Sequence, residues 1–145
     1  MSKLTFRLEV QDDWPPVGAE CLHCEKVADG FKIDSVPFFV RNLSADDVIE
    51  VVEEDNGEVW RWRHVTQSPR STVWVMNLGN VELETTFARL KELGCRIEAF
   101  DQFKLYALDI PTSVEAAVID DCFEGYEESD VALAYPSWRH DERDA

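Results

Sequence analysis

Apolar residues fall on every second position through much of the first half of the chain. In residues 4–10, Leu4 and Phe6 alternate with polar neighbours, which is the pattern of a strand buried on one face. Asp29-Gly30 and Asn56-Gly57 are turn sequences that join hairpin strands. The predicted strands cover residues 4–10, 20–27, 31–33, 48–53 and 58–65, and the apolar segment 36–40, which contains Pro37, is expected at a sheet edge or strand start. We therefore expect a curled antiparallel sheet or a small barrel.

The second half of the chain begins with a change from strand to helix periodicity. Residues 81–93 are predicted to form a helix, because Phe87 and Leu90 recur at helical spacing on one face. Asn80 suits the N-cap position of this helix, and Gly94 suits the position just beyond its C-terminus.

A second helix is predicted to begin after Ser113, which can cap it, and to run to about Tyr126. Its expected buried stripe consists of Val114, Ala117, Val118 and Cys122. Strands are predicted at residues 71–77, 95–100, 104–110 and 131–135, with Pro136 ending the last. The resulting β-α-β-β-α-β order is typical of ferredoxin-like folds, in which two helices cover one face of a four-stranded sheet. The predicted fold class is α+β.

The two halves are predicted to form one domain over residues 1–140, or two subdomains that share a core. The strand-rich half covers residues 1–67 and the β-α-β-β-α-β half covers residues 71–136, and the short segment between them is expected to be a turn. Residues 141–145 are predicted to be a flexible tail, as chain ends without packing partners commonly are.

The net charge of the chain narrows the class of partner. Thirty acidic residues against fourteen basic residues give a formal charge of −16. Such a charge repels nucleic acid and anionic lipid, and it attracts a basic protein partner. The first residues alternate like a strand and contain no apolar signal segment, and no apolar run is long enough to span a bilayer. We therefore expect a cytoplasmic protein that binds neither nucleic acid nor membrane.

The four cysteines include one pair with the spacing of a metal or redox site, Cys21 and Cys24. A zinc site needs a second ligand pair, but Cys95 and Cys122 stand apart with no cysteine or histidine near them. The pair also lies on a predicted strand, where Cys21 and Cys24 would point to opposite faces. We expect free structural thiols, with no metal and no cofactor.

Several short motifs resemble a bacterial family known as domain of unknown function 4265. They occur in order over roughly residues 20–111: Val36-Pro37-Phe38-Phe39, Ala45-Asp46-Asp47-Val48, Ser68-Pro69-Arg70-Ser71-Thr72-Val73, Leu93-Gly94-Cys95 and Asp109-Ile110-Pro111. The resemblance supports this order of elements and implies no activity.

No catalytic motif is present in the sequence. It contains no nucleotide-binding glycine motif, no nucleophile elbow and no His-Glu-x-x-His zinc motif. Ser68, His64 and Asp55 could be written as a catalytic triad, but nearness along one hairpin does not create triad geometry. The chain is therefore not expected to be an enzyme.

Trp60 and Trp62 form the first candidate contact surface. On a regular strand they would share one face with His64, and Arg61 and Arg63 would share the other. The aromatic face is predicted either to pack into the core, with the arginines paired to acids, or to form an exposed binding patch.

The second candidate surface is an acidic segment around the end of the second predicted helix. Acids near a helix C-terminus oppose the helix dipole, and solvated surfaces normally mix charges, so we interpret the segment as a binding surface. The predicted partner-binding residues there are Asp120, Asp121, Glu124, Glu127, Glu128 and Asp130.

These observations favour an acidic binding protein that masks a basic partner. Its most specific form is an immunity protein that neutralises a bacterial toxin by occluding the toxin's cationic active-site cleft. The alternative is a small-molecule-sensing regulatory module of ferredoxin-like type. A third option is a metal-free enzyme whose residues come together only in space, and a homodimer is possible.

Overall fold

The computed structural model describes residues 2–140, which form two compact units with a boundary after Ser68. The first unit contains five strands: β1 (Ser2–Arg7), β2 (Ala19–Val27), β3 (Gly30–Ile33), β4 (Val48–Glu53) and β5 (Glu58–Thr66). The second contains β6 (Ser71–Asn77), α1 (Glu84–Glu92), β7 (Arg96–Phe100), β8 (Leu105–Ile110), α2 (Ala116–Phe123) and β9 (Val131–Ser137), with a 3-10 turn at Asp101–Phe103. The predicted α+β class and N-terminal sheet are confirmed. The expectation of a single domain over residues 1–140 stays a prediction, and the tail at residues 141–145 lies outside the described residues.

The five strands of the first unit close into a barrel in chain order. Neighbouring strands pair antiparallel, but the closing pair of β1 and β5 is parallel over Thr5↔Glu58 and Phe6↔Val59. This parallel pair departs from the predicted antiparallel sheet. It follows from strand number, because the first and last strands of an odd-numbered meander run in the same direction. The interior is apolar, and its largest fully buried side chains are Phe6, Leu22, Ile33, Leu43, Ile49 and Val59.

Residues 36–40 form a loop, so the prediction that they belong to a strand was wrong. The buried carboxylate of Glu20 accepts backbone hydrogen bonds from Phe38 (2.6 Å), Phe39 (2.9 Å) and Val40 (3.0 Å). These three N–H groups are therefore satisfied by a side chain and not by a neighbouring strand.

The four strands of the second unit form one antiparallel sheet in the order β7-β8-β6-β9. Residues of α1 and α2 pack with one face of this sheet in a single apolar cluster, which includes Val73, Leu90, Leu108, Ile119 and Phe123. None of the helices in residues 2–140 is long and apolar enough to cross a membrane.

The first helix begins later than its periodicity predicts. The side chain of Asn77 accepts a hydrogen bond from the Val81 N–H and donates one to the Val81 carbonyl, and this exchange holds the segment as a loop. Asn80 has a positive φ of 53°, which an N-cap residue does not adopt, so its predicted capping role was wrong. At the other end Gly94, with φ of 102°, occupies the predicted position beyond the helix.

The second helix is shorter than predicted at both ends. Ser113 does not cap it, because the Val114 N–H bonds to Pro111 and helical geometry starts only after Glu115. The buried residues of α2 are Ile119, Cys122 and Phe123, so the predicted stripe was wrong at Ala117, which is exposed.

The last strand continues past the proline that was expected to end it. Ser137 pairs with Thr72, and a register shift precedes this pair. Because β9 lies at the sheet edge, a residue without an N–H is tolerated there at Pro136.

Candidate protein-binding groove

A groove of about 620 Å³ lies where the end of α2 meets the edge strand β9. One wall carries three exposed acids, Asp120, Glu124 and Glu128. The rest of the groove is apolar and aromatic, formed by Phe123, Tyr126, Val131, Ala132, Leu133 and Tyr135. A groove lined by both carboxylates and aromatic rings suits a cationic group, because rings attract cations and carboxylates pair with them.

The aromatic walls are held in place by contacts outside the groove. The Tyr126 hydroxyl lies 2.6 Å from Thr86 Oγ1 and donates to the Glu82 carbonyl at 3.1 Å. Tyr135 packs edge-on against Trp138, with 5.3 Å between ring centroids, yet it is 45% exposed. The groove therefore presents fixed rings to solvent, and binding would order few aromatic side chains.

The acids predicted to form one surface lie in different environments. Only Asp120 and Asp121 lie within α2, since Glu124 is its C-cap residue and the other three follow in the loop. Asp121 pairs with Arg89 at 3.1 Å, and Glu127 is exposed but does not line the groove.

Asp130 has a structural position. Its carbonyl accepts the N–H groups of Leu78 and Gly79, and its side chain occupies the space that a Cβ at residue 79 would need. The groove therefore brings together three of the six predicted acids. Among residues 2–140, Asp120, Glu124 and Glu128 form no ion pair.

Trp60 and Trp62 do not share a face, which corrects the prediction from strand alternation. The register between β4 and β5 shifts between Val52 and Glu53, so Trp60 is an extra residue in the ladder. Trp60 is 49% exposed with Arg61 stacked 4.9 Å from its ring centroid, whereas Trp62 is half-buried against the barrel core.

The arginine that follows Trp62 pairs across the strands, as predicted for the outward face. Arg63 contacts Glu50 at 2.5 Å. A second groove, of about 650 Å³, lies beside this ion pair and is lined by Phe31, Val51, Val52, Arg61 and Trp62 among others. It is a concave surface of mixed charge on the barrel.

The triad written from the sequence is not assembled. His64 lies 2.9 Å from a buried aspartate, but that residue is Asp47 and not Asp55. Ser68 Oγ donates to the Ala45 carbonyl at 2.7 Å, and its backbone N–H donates to Asp47 at 2.8 Å. The cluster thus stabilises the chain path with no free nucleophile at its centre.

A second Ser-His pair was not anticipated from the sequence. Ser71 Oγ lies 2.6 Å from His140 Nδ1, and His140 Nε2 lies 2.9 Å from the Pro111 carbonyl. Ser71 is completely buried and also accepts the Arg139 N–H at 2.6 Å. This pair links β6 to the residues that follow β9, and its serine has no exposed surface.

The cysteines are free thiols in different environments. Cys21 is exposed and Cys24 is buried, which confirms that they point to opposite faces of β2. Burial raises the pKa of Cys24 and of Cys122, and it raises the pKa of Cys95 to about 11. Residues 2–140 contain no cluster of three or more potential metal ligands.

Residues 20–133 match the family model described as domain of unknown function DUF4265. The chain belongs to this family. The match confirms the resemblance seen in the short motifs and extends it beyond residue 111 into β9, so the DUF4265 region includes much of the groove. No match was found among curated proteins.

The fold of this DUF4265 protein is similar to that of a solved structure titled "Novel crystal structure of a hypothetical protein from Neisseria gonorrhoeae". The two chains are 18% identical, the TM-score is 0.73, and the alignment covers 94% of each chain. At this identity the similarity concerns the fold alone.

Proposed function

We propose that this DUF4265 protein binds a basic protein partner through the groove between α2 and β9. The observation that carries the proposal is the composition of the groove, which Asp120, Glu124 and Glu128 line together with aromatic rings. Unpaired carboxylates beside a solvent-exposed aromatic surface supply both the steering charge and the apolar contact that protein interfaces use.

The more specific form of this proposal is an immunity protein. A basic segment beside the active site of a toxin would enter the groove, and the surrounding acidic surface would cover the cationic cleft that holds the substrate. The net charge of −16 supports fast association with such a partner and disfavours nucleic acid or anionic membranes as ligands. Asp121, Glu127 and Asp130 would contribute to the surrounding field, and Trp60 would provide a second contact.

The alternative proposal is a small-molecule-sensing module. The strand order β7-β8-β6-β9 with two helices on one face supports a ferredoxin-like description of the second unit, a fold that hosts regulatory ligand sites in other proteins. The barrel groove beside Trp62 has the volume of a ligand pocket. A metabolite that raises the melting temperature of the wild type but not of Trp62→Ala would favour this alternative.

Both proposals describe a binding protein of the cytoplasm with no enzymatic activity and no cofactor. The exposed free thiol of Cys21 supports a reducing compartment. Ser68 is not part of a catalytic triad and Ser71 is completely buried, and both observations support a role without catalysis.

Capture of the partner followed by a toxicity assay tests the immunity proposal. The protein is used as bait in lysate of its source cell, and a captured basic protein is then expressed alone or together with the wild type. We expect growth arrest alone and rescue by the wild type. Failure to capture any basic protein, or capture of one that is harmless when expressed, would contradict the immunity proposal.

A further inference from the structure

We propose that the groove receives its partner as an extended basic segment that adds to the free edge of β9 as a further strand. This inference rests on the proposed function and specifies how the same groove would bind. The proposed function depends on the charge of the groove, whereas this inference concerns the backbone hydrogen-bonding groups of β9.

The register of the sheet identifies which backbone groups of β9 point outward. The Asn77 N–H donates to the Lys104 carbonyl at 3.0 Å, so the backbone groups of Asn77 point toward β8 and away from β9. Opposite residues of an antiparallel pair point either toward each other or away from each other, so the N–H and C=O of Val131 point away from β6. The same orientation recurs two residues along, at the Val75↔Leu133 pair. Both the N–H and the C=O of Leu133 therefore face the open edge.

The N-terminal part of β9 has none of the features that normally protect an edge strand. Proteins protect such edges with charged residues, prolines or bulges. In β9 the proline and the register shift lie toward its end, whereas residues 131–134 read Val-Ala-Leu-Ala. The Val131 N–H donates to the Glu127 carbonyl, whereas residues 2–140 show no bond to the Leu133 backbone outside the sheet ladder.

The charge of the groove determines which strand would add. Asp120, Glu124 and Glu128 line the groove beside this edge, so an added strand that carries lysine or arginine gains ion pairs. A second copy of the chain would bring the same three acids and another charge of −16 to the edge, which opposes pairing of two copies.

The groove lies on one side of β9, and this sets the side-chain pattern of the occupant. Val131 and Leu133 belong to the apolar cluster on the helix-covered face, and both line the groove. Alternate residues of an added strand would point to the same face. The occupant is therefore a segment with Lys or Arg at every second position, because strand-addition complexes take their specificity from alternate side chains.

Amide hydrogen exchange with a synthetic peptide tests this binding mode. The probe is a short peptide that alternates Lys and Val, and the controls are a peptide of equal composition with its lysines consecutive and one that alternates Glu and Val. We expect the Lys-Val peptide to bind most tightly and to slow exchange of the Leu133 amide by about tenfold or more.

Backbone methylation of the peptide provides a second readout. Methyl groups are placed on alternate nitrogens in two versions, one at the Lys positions and one at the Val positions. Strand addition predicts that one version loses about tenfold or more in affinity and that the other binds nearly as well as the parent, because only one set of N–H groups faces β9. Equal affinity of the two versions would overturn the inference.

Matched variants separate this inference from the proposed function. Asp120→Asn, Glu124→Gln and Glu128→Gln together should weaken binding of the Lys-Val peptide, whereas Glu25→Gln, Glu53→Gln and Asp55→Asn should not. Charge-dependent binding without protection of Leu133 would refute strand addition and leave the groove as a protein-binding site. Protection of Leu133 that rises with protein concentration without peptide would show that a second copy occupies the edge, and it would likewise overturn the inference.

Discussion

His64 and Asp47 are joined through Nε2 and Oδ2 at 2.9 Å, and the carboxylate of Asp47 is completely buried. The same carboxylate accepts the backbone N–H groups of Ser44 at 3.0 Å and Ser68 at 2.8 Å. One side chain therefore fixes two loops and the end of β5. Loss of either acceptor oxygen would leave a buried N–H donor unsatisfied, which costs stability.

Asp47→Asn should destabilise the protein by about 2 kcal/mol or more, because an amide NH₂ would replace one acceptor oxygen. The measurement is the urea midpoint of unfolding. Asp46→Asn is the matched control, since it changes the same charge at an adjacent exposed residue and should cost less than about 0.5 kcal/mol. Equal effects of the two variants would show that the network contributes nothing specific.

Gly30→Ala should destabilise the barrel strongly. A Cβ at this position would lie 2.2 Å from the backbone oxygen of Ile49, and φ is 155°. Relief of the clash requires β3 and β4 to separate, so we expect a loss of about 2 kcal/mol or more in unfolding free energy. Gly18→Ala, where nothing lies within 4 Å of the new Cβ, should be neutral. A Gly30→Ala variant as stable as the wild type would contradict the close approach of the two strands.

Thiol labelling of the native protein should modify Cys21 and spare the other cysteines. Cys21 is exposed, whereas Cys24, Cys95 and Cys122 are buried and their pKa values are raised, so little thiolate is accessible there. Mass spectrometry of peptides labelled before and after denaturation checks this. Rapid native labelling of Cys95 would contradict its burial.

The stability contributed by protonated Cys95 should be lost as pH rises from about 9 to about 11. Burial, with a further contribution from the Asp109 carboxylate, raises the pKa of Cys95 to about 11, above the ordinary thiol pKa of 9.0. In this window the unfolded thiol releases its proton while the folded thiol keeps it, so unfolding is favoured. Wild type should lose more stability than Cys95→Ala over that range when urea midpoints are compared. Parallel pH profiles of the two proteins would refute the shift.

The elements set by local pattern could be predicted from the sequence. The bounds of β4 and β6 agree with the predicted segments 48–53 and 71–77, because these are short apolar segments bounded by turn residues. The start of α1 could not be predicted in the same way. It depends on the Asn77 side chain, whose bonds to Val81 compete with the apparent cap at Asn80.

The candidate site could be predicted only in part. The composition of the sequence predicts that the acids near α2 are exposed. It does not predict which of them line the groove, because that depends on Arg89 in α1, which pairs with Asp121, and on the packing of Tyr135 in β9. The separation of Trp60 from Trp62 results from one extra residue in a ladder, and strand alternation contains no signal for it.

The central claim is that the groove is the binding site. It is tested by measuring the affinity of the captured partner for two variant proteins with matched charge reversals. Asp120, Glu124 and Glu128 are changed to Lys in one protein, and Glu25, Glu53 and Asp55 are changed to Lys in the other, so both gain the same charge. All six residues are exposed. The account predicts that the groove reversal weakens binding by about a hundredfold or more and that the control reversal changes it by less than about tenfold. Equal loss from both reversals, or no loss from the groove reversal, would contradict it.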